Sequence, residues 1–105
     1  MNNIIYSNQA EVDLEEAIEY ISKDSIVNAI EYLNGYNYKI ELLKSNPYMG
    51  IECKHKLIKK DCRILVYKNH IIIYKYNEKS NDIFIIRIYH YRVDYINKIN
   101  KKEKK

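Results

Sequence analysis

Long apolar runs are missing from this 105-residue chain: the longest is a few residues, against the roughly 20 that a helix needs to cross a bilayer. No membrane-spanning segment is therefore expected. The opening residues, Met1-Asn2-Asn3-Ile4, have neither the charged nor the apolar region of a secretory signal, and a cytoplasmic location follows as the expectation. Cysteine is scarce. Cys53 and Cys62 stand nine residues apart, a spacing that fits no zinc pair, and His55 alone leaves a tetrahedral site incomplete. Two reduced thiols, with no metal and no cofactor, are expected in such a chain. There is no internal repeat, Gly-rich phosphate loop, Walker motif, HExxH or nucleophile elbow, which excludes the chemistries those motifs carry. Proline and glycine, one and two in all, are absent from Cys62 to Asp94.

That uninterrupted stretch organises the rest. Arg63 to Tyr67, Ile71 to Tyr76 and Ile83 to Tyr89 are dominated by β-branched and aromatic residues, and turn-forming residues bound each run. Three antiparallel strands are predicted, the first two joined by Lys68-Asn69 with His70, the last two by the polar turn Asn77 to Asp82. Period-two alternation in the third strand sets Phe84, Ile86 and Ile88 on one face and Ile85, Arg87 and Tyr89 on the other. A sheet with one face on a core would then turn Arg87 and Tyr89 outward, with His90 to Arg92 at its edge.

The chain before this stretch reads as helical. Ile4-Ile5-Tyr6 is a short strand, and Asn8 with Glu11 forms a capping box that opens a helix to about Ile21. Leu14, Ala17, Ile18 and Ile21 make its apolar stripe. The carboxylates of its first turns suit the helix dipole without a catalytic role. After a break at Lys23-Asp24, Ser25 caps a second helix to about Ser45. Ile26, Ala29, Ile30, Leu33, Tyr36, Ile40 and Leu43 form its expected core seam, and Gly35 inside it costs roughly 1 kcal/mol against alanine. The short connection implies a helical hairpin, and Asn46-Pro47 ends it. Tyr32, Tyr36, Tyr38 and Tyr48 are read as packing residues. A further short strand is expected near Lys56 to Ile58, and a helical turn over Tyr95 to Ile99.

The order β, α, α, then a β-meander predicts an α+β fold: an N-terminal strand and helical hairpin packed on a small, mostly antiparallel sheet. Residues 1–100 would form one domain, and 101–105 a disordered basic tail. Charge is divided unevenly. Residues 1–52 carry nine acids and three bases, residues 53–105 five acids and fifteen bases, within a net charge of +4. The second half is thus suited to a polyanionic or acidic partner.

The opening strand and acidic helix, the second helix closed by Asn46-Pro47-Tyr48-Met49-Gly50, the strand His70 to Tyr76 and the ending Arg87-Ile88-Tyr89-His90-Tyr91-Arg92-Val93-Asp94 together resemble the RelE/ParE superfamily of bacterial type II toxins. The resemblance implies a growth-arresting toxin of a toxin–antitoxin (plasmid stabilisation) module, neutralised by a cognate antitoxin. RelE-like members cut mRNA on the ribosome, and ParE-like members poison DNA gyrase. In the first case His90 would be acid or base, Arg87 and Arg63 would stabilise charge on the phosphate, and Tyr91 would stack on a base or assist proton transfer. Lys54, Lys56, Lys59, Lys60 and Arg92 would hold RNA or a partner. The bland alternatives are a His90 that caps the last strand and an Arg87 salt-bridged to an acid of the helices. Ile71 stands where nucleases of the His-Tyr kind carry arginine. With the Arg-x-x-His-x-Arg-x-Asp ending, this favours the ParE-like branch, with the mRNA endoribonuclease as alternative. A degenerate, non-toxic antitoxin-binding relative is the third reading.

Overall fold

The computed structural model describes residues 2–53 and 61–92. The element order is β1 (Asn3–Tyr6), α1 (Asn8–Asp24), α2 (Ile26–Ser45), β2 (Ile51–Glu52), β3 (Arg63–Tyr67), β4 (His70–Asn77) and β5 (Asp82–His90). The strands form one sheet in the order β1-β5-β4-β3-β2, antiparallel except for the parallel β1–β5 pair. The α+β architecture expected from the sequence is the one found. The expected strand at Lys56 to Ile58, the turn at Tyr95 to Ile99 and the tail at 101–105 fall outside the described residues.

Two serines set the helices. Ser7, not Asn8, is the N-cap of α1, its hydroxyl accepting from the Ala10 amide at 3.0 Å. The reason is that β1 holds Ser7 in extended backbone, with its amide donated to the Ile85 carbonyl. α1 then runs beyond Ile21 to Asp24, and Ser25 alone separates the helices. Its amide closes α1 on the Ile21 carbonyl while its hydroxyl accepts from Asn28 to open α2. The α2 seam also differs from expectation. Ala29, Tyr32, Tyr36, Ile40 and Leu43 are buried, whereas Ile26 and Ile30 are exposed.

The main core lies between this hairpin and the sheet, and tyrosines dominate it. Tyr36 and Tyr74 are fully buried and Tyr32 and Tyr67 nearly so. Each phenol has a partner, as burial requires. Tyr67 donates to the Tyr32 carbonyl at 2.8 Å, Tyr74 donates to the Pro47 carbonyl and accepts from the Gly50 amide, and the Tyr6 and Tyr36 hydroxyls meet at 2.9 Å. Tyr38 and Tyr48, by contrast, are exposed.

The other face of the sheet carries a second, smaller cluster of Cys62, Ile71, Ile73 and Tyr89. Here the expectation of reduced thiols is overturned: Cys53 and Cys62 form a disulfide, with Cα atoms 5.4 Å apart. They extend the β2–β3 ladder by one pair beyond Glu52 and Arg63, which sets them at bonding distance.

In β5 the expected alternation fails at a bulge. Tyr74 faces Ile85 and Ile73 faces Arg87, so Ile86 is the extra residue. Its carbonyl accepts from the Ser7 hydroxyl at 2.7 Å. Ile83, Ile85 and Ile88 consequently all reach the main core. Tyr89, expected outside, is buried in the second cluster.

Gly35 is required by packing, since a Cβ there would overlap the Tyr67 hydroxyl. Gly35→Ala should therefore destabilise the protein in urea unfolding. The roughly 1 kcal/mol of helix propensity gained is outweighed by overpacking that typically costs about 1–3 kcal/mol. Tyr67→Phe in the same chain should recover part of the loss.

Candidate functional site

Where β1 stops at Tyr6, the flank of β5 beyond Ile85 has no neighbouring strand. Side chains of α1 take its place. Asp13 accepts from the Ile88 amide at 2.9 Å and from Arg87 twice, Nε at 2.8 Å and Nη2 at 3.1 Å. The pair is well shielded, with 15% of the arginine side chain and 7% of the aspartate side chain exposed. Burial pushes the Asp13 carboxyl up, but the Arg87 guanidinium, the Ile88 amide and the Gln9 amide outweigh it and hold the group below its usual value.

The bulge also sets the opposite side of β5. Counted back from the Asn77–Asp82 pair, an unbroken ladder would place Tyr89 against His70. The extra residue places His90 there instead. The two rings meet edge to face at 5.5 Å between centroids. On the helix side the Tyr32 hydroxyl bonds His70 Nδ1 at 2.9 Å. Burial, and then the neighbouring His90, push the His70 imidazole below its usual pKa. His90 Nδ1 accepts from the Arg92 amide at 3.2 Å, which assigns the ring's proton to Nε2 when it is neutral. Tyr91 lies against His90 at 4.7 Å between centroids, and Arg92 Nε donates to the Tyr91 hydroxyl at 3.2 Å.

Asp13, Tyr32, His70, Arg87, His90 and Arg92 line an open cleft of about 840 Å³ between the helical hairpin and the end of the sheet. One wall carries Asp13, Glu16, Tyr20, Glu31 and Tyr32, the other Lys68, Asn69, His70, Arg87, His90 and Arg92. Lys68 begins the two-residue β3–β4 turn at φ 50°, the positive value such turns demand there. Its ammonium lies 6.0 Å from the Tyr32 ring centre. The cleft therefore offers imidazoles and cations on one side, carboxylates and phenols on the other.

Of the residues expected to act together, the structure joins His90, Tyr91 and Arg92 at one corner. Arg87 lies near them but is held by Asp13, the salt bridge that was the bland alternative. Arg63 is elsewhere. Register puts it opposite Tyr74, four residues from the Tyr67–His70 end of β3, or roughly 13 Å along the strand. There it donates to the Gly50 carbonyl at 2.8 Å and to Glu52 at 3.2 Å. Lys54, Lys56, Lys59 and Lys60 lie outside the described residues. Asp13, Tyr32 and His70 were not singled out from the sequence. The signal available was the short turn after Tyr67, which starts β4 at His70 and aims its ring with the core residues. Among the described residues, no group of three or more His, Cys, Asp or Glu side chains is placed to hold a metal ion, and no helix is long and apolar enough to cross a membrane.

Comparisons with known proteins agree with this architecture. A family model described as the ParE toxin of the type II toxin–antitoxin system matches residues 4–95. No curated protein matches the sequence. Among solved structures, the crystal structure of a metal-bound toxin from Helicobacter pylori is similar with a TM-score of 0.54 and 19% identity, over 86% of this chain and 94% of that one. At that identity the likeness is one of fold.

Asp13 sets an acid limit on stability. A carboxyl whose folded pKa is depressed contributes above its unfolded value, about 3.9, and the contribution is lost as pH falls through the folded value. Asp13→Asn should be less stable at pH 7 by about 1–3 kcal/mol, because Arg87 loses its counter-charge while remaining partly buried. Urea unfolding at a series of pH values should show that gap narrowing as pH falls below about 4.

Proposed function

Because this chain belongs to the ParE toxin family of type II toxin–antitoxin systems, whose members are partnered by a cognate antitoxin, we propose that it arrests growth as a ParE-like poison of DNA gyrase, an interaction protein and not a nuclease. One observation carries this reading: the two strand arginines are committed to other partners, Arg87 to Asp13 and Arg63 to Gly50 and Glu52. Cleavage of RNA by its own 2′-hydroxyl needs an acid, a base and a cation at the phosphate. His90 has His70 and Tyr91 against it, and Tyr32 is bonded to His70. Arg87, the nearest arginine within the sheet, has its Nε and Nη2 donors on Asp13, and Arg63 serves the far end of β3. Under this reading the basic second half attracts the target. Lys68 and Arg92 stand at the cleft, and Lys54, Lys56, Lys59 and Lys60 add to the same charge.

The RelE-like reading keeps one support of its own, the adjacent, tilted His90–Tyr91 ring pair with Arg92 beside it. Expression in bacteria without an antitoxin separates the two, if new DNA and new protein are pulse-labelled in parallel. Gyrase poisoning predicts early loss of DNA synthesis with filamentous cells, and His90→Gln should keep most of the toxicity. Early loss of protein synthesis while DNA synthesis continues, with His90→Gln abolishing it, would establish the endoribonuclease instead. Growth without arrest would leave the third reading, a non-toxic antitoxin-binding relative.

A further inference from the structure

The two cysteines take no part in the cleft: Cys62 lies five residues from the Tyr67–His70 end of β3, and one continuous apolar cluster runs from it to the back of the cleft. Cys62 is 4% exposed and packs with Ile71, Ile73 and Tyr89, while Cys53 is half-buried at the margin of that cluster. The backbone adds one bond, from the Cys53 amide to the Cys62 carbonyl at 2.9 Å. Ile71 follows His70 in β4, Tyr89 precedes His90 in β5, and both pairs face each other across the ladder. Alternation sends the histidines to the cleft side and Ile71 and Tyr89 to the sulfur side. The same two residues of each strand therefore form a wall with imidazoles on the front and, on the back, one end of an apolar cluster whose other members are Ile73 and Cys62.

We propose that Cys53 and Cys62 are a thiol–disulfide redox site whose state sets the order of the wall behind the His70–His90 pair. A dithiol reductant attacks the more accessible sulfur, Cys53 Sγ. The Sγ–Sγ bond breaks, a mixed disulfide forms at Cys53, and the Cys62 thiolate leaves and takes up a proton. The second thiol of the reductant then forms the reductant's own disulfide and releases Cys53. The protein gains two electrons and two protons, and the reductant loses them. Departure of a thiolate into an apolar cluster is unfavourable, so the exchange is slow in the folded protein. Once it has occurred, β2, a strand of two residues, is held to β3 by its short ladder and the Arg63–Glu52 pair. The apolar cluster that includes Ile73, Ile71 and Tyr89 loses its covalent tie at the Cys62 end. None of this depends on the target of the toxin.

The test is a titration of the whole chain in glutathione buffers graded from reduced to oxidised. Aliquots are quenched with an alkylating reagent and weighed by mass spectrometry, and the imidazole signals of His70 and His90 are followed by NMR. The expected result is one transition between a doubly alkylated and an unalkylated form, with both histidine signals moving at the same midpoint. A Cys53→Ser, Cys62→Ser chain should show the reduced positions in every buffer. Should that variant fail to fold, the wild-type titration decides alone. Full alkylation across the whole range would overturn the proposal. So would accumulation of a glutathione adduct in place of the internal disulfide, or disulfide formation that leaves the histidine signals fixed.

Discussion

The carboxylate of Asp13 is the contact on which the cleft end of the molecule depends. A sheet edge with unpaired amides needs some partner, and β1 is too short to supply it beyond Ile85. α1 completes the edge with side chains, Ser7 on the Ile86 carbonyl and Asp13 on the Ile88 amide. The bulge lies between these two anchors. Through it the helix fixes which residue of β5 stands opposite His70, and so which side chains the cleft presents. The ion pair with Arg87 is a consequence of the same placement: the carboxylate that satisfies the backbone also neutralises the strand's one arginine.

The core achieves its definition through hydroxyl groups as much as through apolar area. A phenylalanine at position 67 or 74 would fill nearly the same volume, but the Tyr67 and Tyr74 hydroxyls reach backbone atoms of the second helix and of the turn that follows it. Such bonds are directional where dispersion is not, and each contributes about 1 kcal/mol net. They fix how far along the sheet the hairpin lies. Gly35 belongs to this arrangement: a missing side chain on the helix makes room for a hydroxyl from the sheet.

Much of this was legible in the chain. The absence of proline and glycine from Cys62 to Asp94 marked the meander, and Ser25 and Asn46-Pro47 marked the limits of α2. Three features were not, each for a physical reason. Ser7 and Asn8 are both good caps, and only the pairing of β1 with β5 decides between them. Ile26 and Ile30 fit the seam by spacing, but α2 meets the sheet through Tyr32 and Tyr36, a turn further on. The disulfide was set aside on grounds of compartment, whereas the geometry that forms it follows from a strand of two residues, too short to carry a pattern. The candidate site suffered most. A single extra residue in β5 exchanges Tyr89 for His90, and nothing in the alternation of Ile83 to Tyr89 announces where a ladder slips.

The strand order has a consequence for how the molecule comes into being. β5 is second in the sheet, flanked by β1 and β4, yet among the described elements it is the last to be synthesised. Its partnership with β1 joins Asn3 to Asp82, nearly the full length of the described chain. Contacts so distant in sequence form late and slowly. On a ribosome, the helical hairpin would wait with its tyrosines uncovered until the residues that pair with both flanks had emerged. A nascent chain short of β5 has no cleft, so the cleft is assembled only when translation of this region is complete.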